Sequence, residues 1–95
     1  MSHTQKEFFV REIIKKYNLG IGRLHRFNDY LLIEIIPKYF YVCFDIDIVL
    51  DPHKYFFTIP QTYRLYLYNE LKSVEQNIFI LGNLIKDTLW IHSRL

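Results

Sequence analysis

The sequence predicts an α+β fold: an antiparallel three-stranded meander flanked by an N-terminal helix and a following helix (α-β-β-β-α), plus a C-terminal hairpin or helix. Three observations carry this expectation. A capping signal and an apolar stripe open the chain, strict alternation of apolar residues runs from Tyr39 to Leu50, and shorter apolar, strand-like runs lie on either side of it. With 95 residues, 51% of them apolar, the chain is expected to form a single small α+β domain over 1–95 with a real core.

Residues 4–18 read as a helix. Thr4 and Glu7 have the spacing of a capping box, in which hydroxyl and carboxylate satisfy free backbone donors reciprocally. Phe9, Val10, Ile13, Ile14 and Tyr17 recur at helical spacing, while Glu7–Arg11 and Glu12–Lys16 are i,i+4 pairs on the wet side. Asn18-Leu19-Gly20 supplies the stop, with Gly20 expected to take the left-handed cap geometry. Residues 21–28 then read as a loop.

Tyr30–Ile36 is the first strand, ended by Pro37, which cannot donate to a ladder. In Tyr39–Leu50 every even position is apolar: Phe40, Val42, Phe44, Ile46, Ile48 and Leu50. The odd positions include Tyr39, Tyr41, Asp45 and Asp47, so period two predicts a long half-buried strand. Phe44 and Ile46 are then expected in the core, against Phe9, Ile13 and Tyr17, with Tyr41 and Asp45 on the open face. Asp51-Pro52-His53-Lys54 reads as a turn, Tyr55–Ile59 as the third strand, and Pro60 as its end. Residues 61–76 fit a helix better than a strand, although Leu65 and Leu67 alternate. Residues 78–94 fit either a hairpin turning at Gly82-Asn83 or a terminal helix carrying Leu84, Ile85, Thr88, Leu89 and His92.

Composition narrows the function classes. One cysteine, Cys43, excludes an internal disulfide framework, and no apolar window is long enough for a membrane-spanning helix. The chain contains no alanine, yet alanine is the best helix former, so the omission has no structural cause. Together with abundant Ile, Lys, Asn, Phe and Tyr, it points to an AT-rich coding sequence. The first residues lack a signal peptide's pattern. The expected setting is therefore intracellular rather than secreted: mitochondrial and organelle-encoded, or the cytoplasm of a phage-infected host.

The carboxylates Asp45 and Asp47 are the weak metal candidates, because strand alternation would set them on one face with Asp51 and His53 nearby. The solvated face of a half-buried strand accounts for them better, since an antiparallel sheet commonly shows water one polar face. Four scattered histidines and one cysteine give no zinc spacing, and no phosphate-binding loop or nucleophile elbow occurs. No catalytic residue, metal or cofactor is expected.

Charge is unevenly spread. Residues 1–28 hold six basic and two acidic groups, so Arg11, Lys15, Lys16, Arg23 and Arg26 are the RNA-contact candidates. The predicted order α-β-β-β-α over residues 4–76 is similar to that of double-stranded-RNA-binding domains, which implies recognition of RNA by shape and backbone. Against this, Pro60-Gln61-Thr62-Tyr63-Arg64 carries a single cation where those domains begin a basic second helix.

Aromatic residues make up 18% of the chain, more than one small core can absorb. Tyr39, Tyr41, Tyr66, Tyr68 and Trp90 are the protein-interface candidates, since flat rings bury area at little entropic cost. The leading expectation is a non-catalytic interaction subunit of a larger macromolecular assembly, with other protein chains as partners. The alternatives are a small RNA-binding or ribosomal protein and a metal-dependent hydrolase using Asp45 and Asp47.

Overall fold

The computed structural model of the chain describes residues 2–35, 38–56 and 62–93. It has an α+β fold that divides into two compact units, Met1–Gly22 with Asn69–Leu95, and Arg23–Tyr68.

The first unit is helical. Helix α1 spans His3–Tyr17, and its N-cap is Ser2 rather than Thr4. The Ser2 hydroxyl accepts from the Gln5 backbone at 3.2 Å while the Gln5 side chain accepts from the Ser2 backbone at 3.2 Å. The capping box therefore exists two residues upstream of the one the sequence suggested. Glu7 is instead spent on the wet face, 3.2 Å from Arg11. Phe9, Val10 and Ile13 are the buried stripe, as their spacing requires. At the C-terminus Asn18, not Gly20, is left-handed, with φ 50°. Asparagine tolerates this region better than most residues, and the glycine was not needed for the turn.

In the same unit Ser73 caps a long helix α4, Val74–Ser93, which settles the C-terminal element as a helix rather than a hairpin. Its hydroxyl accepts from Gln76 N–H at 3.1 Å, and the Gln76 side chain accepts from Ser73 N–H at 2.9 Å. Asn77 is fully buried and ties the preceding loop to the helix. Its side-chain oxygen accepts from Asn69 N–H at 2.8 Å, and its amide donates to the Asn69 and Ser73 carbonyls at 2.9 Å each. Ile78, Leu81 and Ile85 complete the buried face of α4. Gly82 lies against Tyr17, and a Cβ there would collide with the tyrosine hydroxyl.

The second unit is a four-stranded sheet of order β1-β2-β3-β4, made by β1 Leu24–Arg26, β2 Tyr30–Ile35, β3 Lys38–Cys43 and β4 Tyr63–Leu67. The first three strands are antiparallel neighbours; β4 runs parallel to β3, pairing Tyr39 with Tyr63 and Cys43 with Leu67. The chain thus has a mixed sheet, not a three-stranded meander, and the likeness to the order of double-stranded-RNA-binding domains falls with it.

Three local decisions explain the difference. Residues 21–28 are not a plain loop, because Leu24–Arg26 finds a ladder partner in Leu31–Ile33. The expected long strand stops at Cys43, and Ile46–Leu50 is a short helix α2. Asp45 is its N-cap, with the carboxylate accepting from Asp47 N–H at 3.0 Å, a local bond that competes with continued pairing. Helix α3 follows at Pro52–Tyr55, where proline at the first helical position loses no hydrogen bond. Tyr55 therefore ends a helix and Phe56 is its C-cap, not a strand residue; residues 57–59 of the expected strand, with Pro60 and Pro37, lie outside the described residues. The segment read as a helix over 61–76 instead contains β4, since pairing with β3 outweighs its weak helical spacing.

Both faces of the central strand are buried, from Phe40 through Cys43. One face carries Leu31, Ile33, Ile35, Phe40 and Val42. On the other, Tyr41 and Cys43 pack with Ile48 and Phe56. The expected division is therefore overturned: Tyr41 is only 3% exposed, whereas Ile46 is 48% exposed and Phe44 only half-buried. Alternation fails because a strand buried on both sides needs apolar residues at every position.

Candidate functional site

Helix α4 carries two large aromatic side chains, Phe79 and Trp90, that are more than half exposed. Its buried side is fixed by Asn77, Ile78, Leu81, Gly82, Ile85 and Thr88. The opposite side is set by the 3.6-residue repeat: Phe79 and Trp90 are eleven positions apart, three turns plus about 20°. They stand on one line, 63% and 57% exposed. Glu75, Asn83 and Lys86 are exposed on the same side, and Leu89 flanks it. Beside Phe79 an open depression of about 340 Å³ is lined by Lys72, Glu75, Gln76, Phe79 and Ile80. The face combines apolar rings with balanced charge, Lys72 and Lys86 against Glu75 and the flanking Asp87, which suits contact with a protein surface better than with a polyanion.

The interface candidates chosen from sequence do not come together. Trp90 is on this face. Tyr39 and Tyr66 are half-buried on β3 and β4, and burial pushes the Tyr66 hydroxyl up to about 12. Tyr41 is stacked on Phe56 with ring centres 4.0 Å apart, and Tyr68 is buried against Phe44 at 5.7 Å. Those two rings are consumed by the packing of the sheet unit. Phe79 was missed because 78–94 was open between hairpin and helix. The Ser73-x-x-Gln76 capping box was the signal that could have decided it.

The basic candidates divide between the two units. Arg11, Lys15 and Lys16 are exposed on α1, with Arg11 on Glu7 and the Lys16 ammonium 5.9 Å from the Tyr17 ring centre. Arg23 lies in the 3₁₀ turn before β1, and Arg26 is exposed on β1. Asp45 and Asp47 do not share a strand face; they cap and open α2. Among the described residues no group of three or more His, Cys, Asp and Glu side chains is placed to hold a metal. Burial raises the Cys43 thiol to about 11, so it stays protonated near neutrality and behaves as a packing residue.

Compared with protein-family models, curated proteins and solved structures, the chain matches none. Among the described residues no helix is long and apolar enough to cross a membrane.

Proposed function

We propose that this chain is a non-catalytic interaction protein, a subunit that docks onto another protein chain through the exposed face of α4. One observation carries the reading: Phe79 and Trp90, two of the largest apolar side chains in the protein, are aligned and more than half exposed on a helix whose other side is buried. Large aromatic rings left in water are unfavourable, and they are the residues that most often anchor protein interfaces. A helix offering anchors at such spacing fits an apolar groove or a second helix.

The RNA-binding alternative keeps Arg11, Lys15, Lys16, Arg23 and Arg26 as its candidates, but it no longer has the topology that suggested it. The hydrolase alternative loses the shared strand face on which Asp45 and Asp47 were paired. The residue bias supports an AT-rich coding sequence, so the proposed setting is an organelle or a phage-infected host.

The test is purification of the tagged chain from its native source, beside a Phe79→Ser/Trp90→Ser variant of matched thermal stability. The expected result is a stoichiometric protein partner, which includes a second, differently tagged copy, lost in the variant. A wild-type chain that isolates alone, or partners retained by the variant, would overturn the reading. Salt-sensitive retention on RNA that depends on the arginines and lysines would move it to the RNA alternative.

A further inference from the structure

We propose, resting on the α4 reading, that the chain that docks on α4 is a second copy of itself, with the two α4 helices antiparallel. The argument is self-complementarity along a single helix face. The face has an aromatic anchor near its C-terminal end, Trp90, and an open depression of about 340 Å³ near its N-terminal end, with room for one aromatic ring. It also has an anion toward the N-terminal end, Glu75, and a cation toward the C-terminal end, Lys86.

An antiparallel two-fold pairing matches each feature with its complement. Setting Trp90 of one copy level with Lys72 of the other brings the indole to the depression walled by Lys72, Glu75 and Gln76. In that register Lys86 is level with Gln76 of the second copy, one residue from its Glu75, so two opposite-charge pairs form symmetrically. The two Phe79 side chains meet across the two-fold axis, about 6 Å apart along the helices, given the 1.5 Å rise per residue. A parallel pairing in register would set Glu75 on Glu75 and Lys86 on Lys86, which like-charge repulsion disfavours. The face carries no excess of one charge to select an acidic or basic foreign partner instead. Two-fold symmetry also makes such an interface closed, so it ends at the dimer.

The experiment is sedimentation equilibrium across a concentration series for the wild type, Glu75→Lys, Lys86→Glu, the double swap and Trp90→Ala. The wild type is expected to dimerise reversibly. Each single swap places like charges opposite one another twice and is expected to weaken association about tenfold. The double swap restores opposite charges and should return to within about threefold of the wild type. Trp90→Ala should weaken the dimer by more than about tenfold, as expected for an anchor in a pocket. All three substituted positions are on the exposed side, and circular dichroism melts check that the variants stay folded. A wild-type monomer at all concentrations, or a double swap no better than either single one, would overturn self-pairing. If the monomer still takes a foreign partner that the Phe79→Ser/Trp90→Ser variant loses, only the self-pairing fails. If neither association depends on this face, both readings fail.

Discussion

In the helical unit the buried side of α4 includes two polar side chains, Asn77 and Thr88, whereas the cluster beneath the sheet is Tyr41, Cys43, Ile48 and Phe56. Asn77 has three hydrogen bonds of 2.8–2.9 Å to the loop at Asn69 and to Ser73. Thr88 returns its hydroxyl to the Leu84 carbonyl at 3.0 Å, within its own helix. The sheet cluster is closed by rings: Phe56 stacks on Tyr41 at 4.0 Å and meets Tyr30 edge-on at 4.7 Å. The difference separates two ways of fixing an irregular segment. The loop before α4 is held by directional bonds from one amide. The short helices α2 and α3 are held by the burial of Ile48 and of Phe56, which follows α3.

That contrast breaks first at Phe56. Its ring is 5% exposed and touches two tyrosines, so Phe56→Ala should cost about 3–5 kcal/mol, enough to unfold a marginal unit. Ile46→Ala, on the exposed side of α2, should change stability by less than about 0.5 kcal/mol. The polar clamp comes next. Asn77→Ala leaves the Asn69 N–H and two carbonyls without their partner and should cost roughly 2–4 kcal/mol. Urea unfolding monitored by tyrosine and tryptophan fluorescence reads all three. Near-equal losses at Ile46 and Phe56 would mean that the sheet is not closed by the ring cluster.

The sequence made much of the helical unit legible and less of the sheet. Helix α1 was visible because its stripe and caps are local, and even its N-cap was misplaced by only two residues. The strand Tyr30–Ile35 was equally plain from its apolar run. The region after Cys43 was not, because Ile46, Ile48 and Leu50 satisfy an alternating pattern while Asp45 caps a helix. The choice depends on one carboxylate bond to the Asp47 amide, which competes with pairing that sequence spacing cannot show. β4 was hidden for the converse reason: its hydrogen-bond partner is β3, twenty-odd residues earlier and parallel. At the candidate site, Trp90 was legible as a surplus aromatic. Phe79 required knowing that one helix runs through Gly82, a residue that usually argues for a turn.

Gly82 is also where the two packing styles can be compared within one unit. A glycine in a helix interior costs about 1 kcal/mol relative to alanine, so its presence needs a reason. The reason is Tyr17, whose hydroxyl occupies the space that a Cβ would take. Gly82→Ala should therefore destabilise by about 1–3 kcal/mol despite the gain in helix propensity. Among the described residues the buried Tyr17 hydroxyl has no hydrogen-bond partner, so Tyr17→Phe alone should be neutral or slightly stabilising. The double variant should recover part of the Gly82→Ala loss, since the ring Cζ, 2.9 Å from the added Cβ, remains in phenylalanine. Additive effects in this cycle would show that α1 and α4 are not in contact at this point.

The smallest effect expected is alkaline, and it distinguishes the units by their titrating groups. Burial raises the Cys43 thiol from its ordinary 9.0 to about 11 and the Tyr66 hydroxyl from 10.0 to about 12. Burial also raises Tyr30 and Tyr41, all four being in the sheet unit, while in the helical unit Tyr17 alone is raised among the described residues. Each of these groups is neutral when protonated, and the folded state holds the proton more tightly than the unfolded chain. Their contribution to stability is thus complete below pH 9, where both states are protonated. It declines as the pH rises through the window between the unfolded and folded values, because only the unfolded chain then ionises. Melting temperatures should be flat from pH 7 to 8.5 and fall progressively from about pH 9 to 11. Cys43→Ala removes the earliest group in this series. It lowers the melting temperature at every pH through lost packing, but its curve should stay flat to nearer pH 10, where the tyrosines begin. The readout is the onset of the decline rather than its level. An onset unchanged by Cys43→Ala would mean that the thiol is not shielded in the folded sheet, and that the ring cluster beneath β3 is open to water.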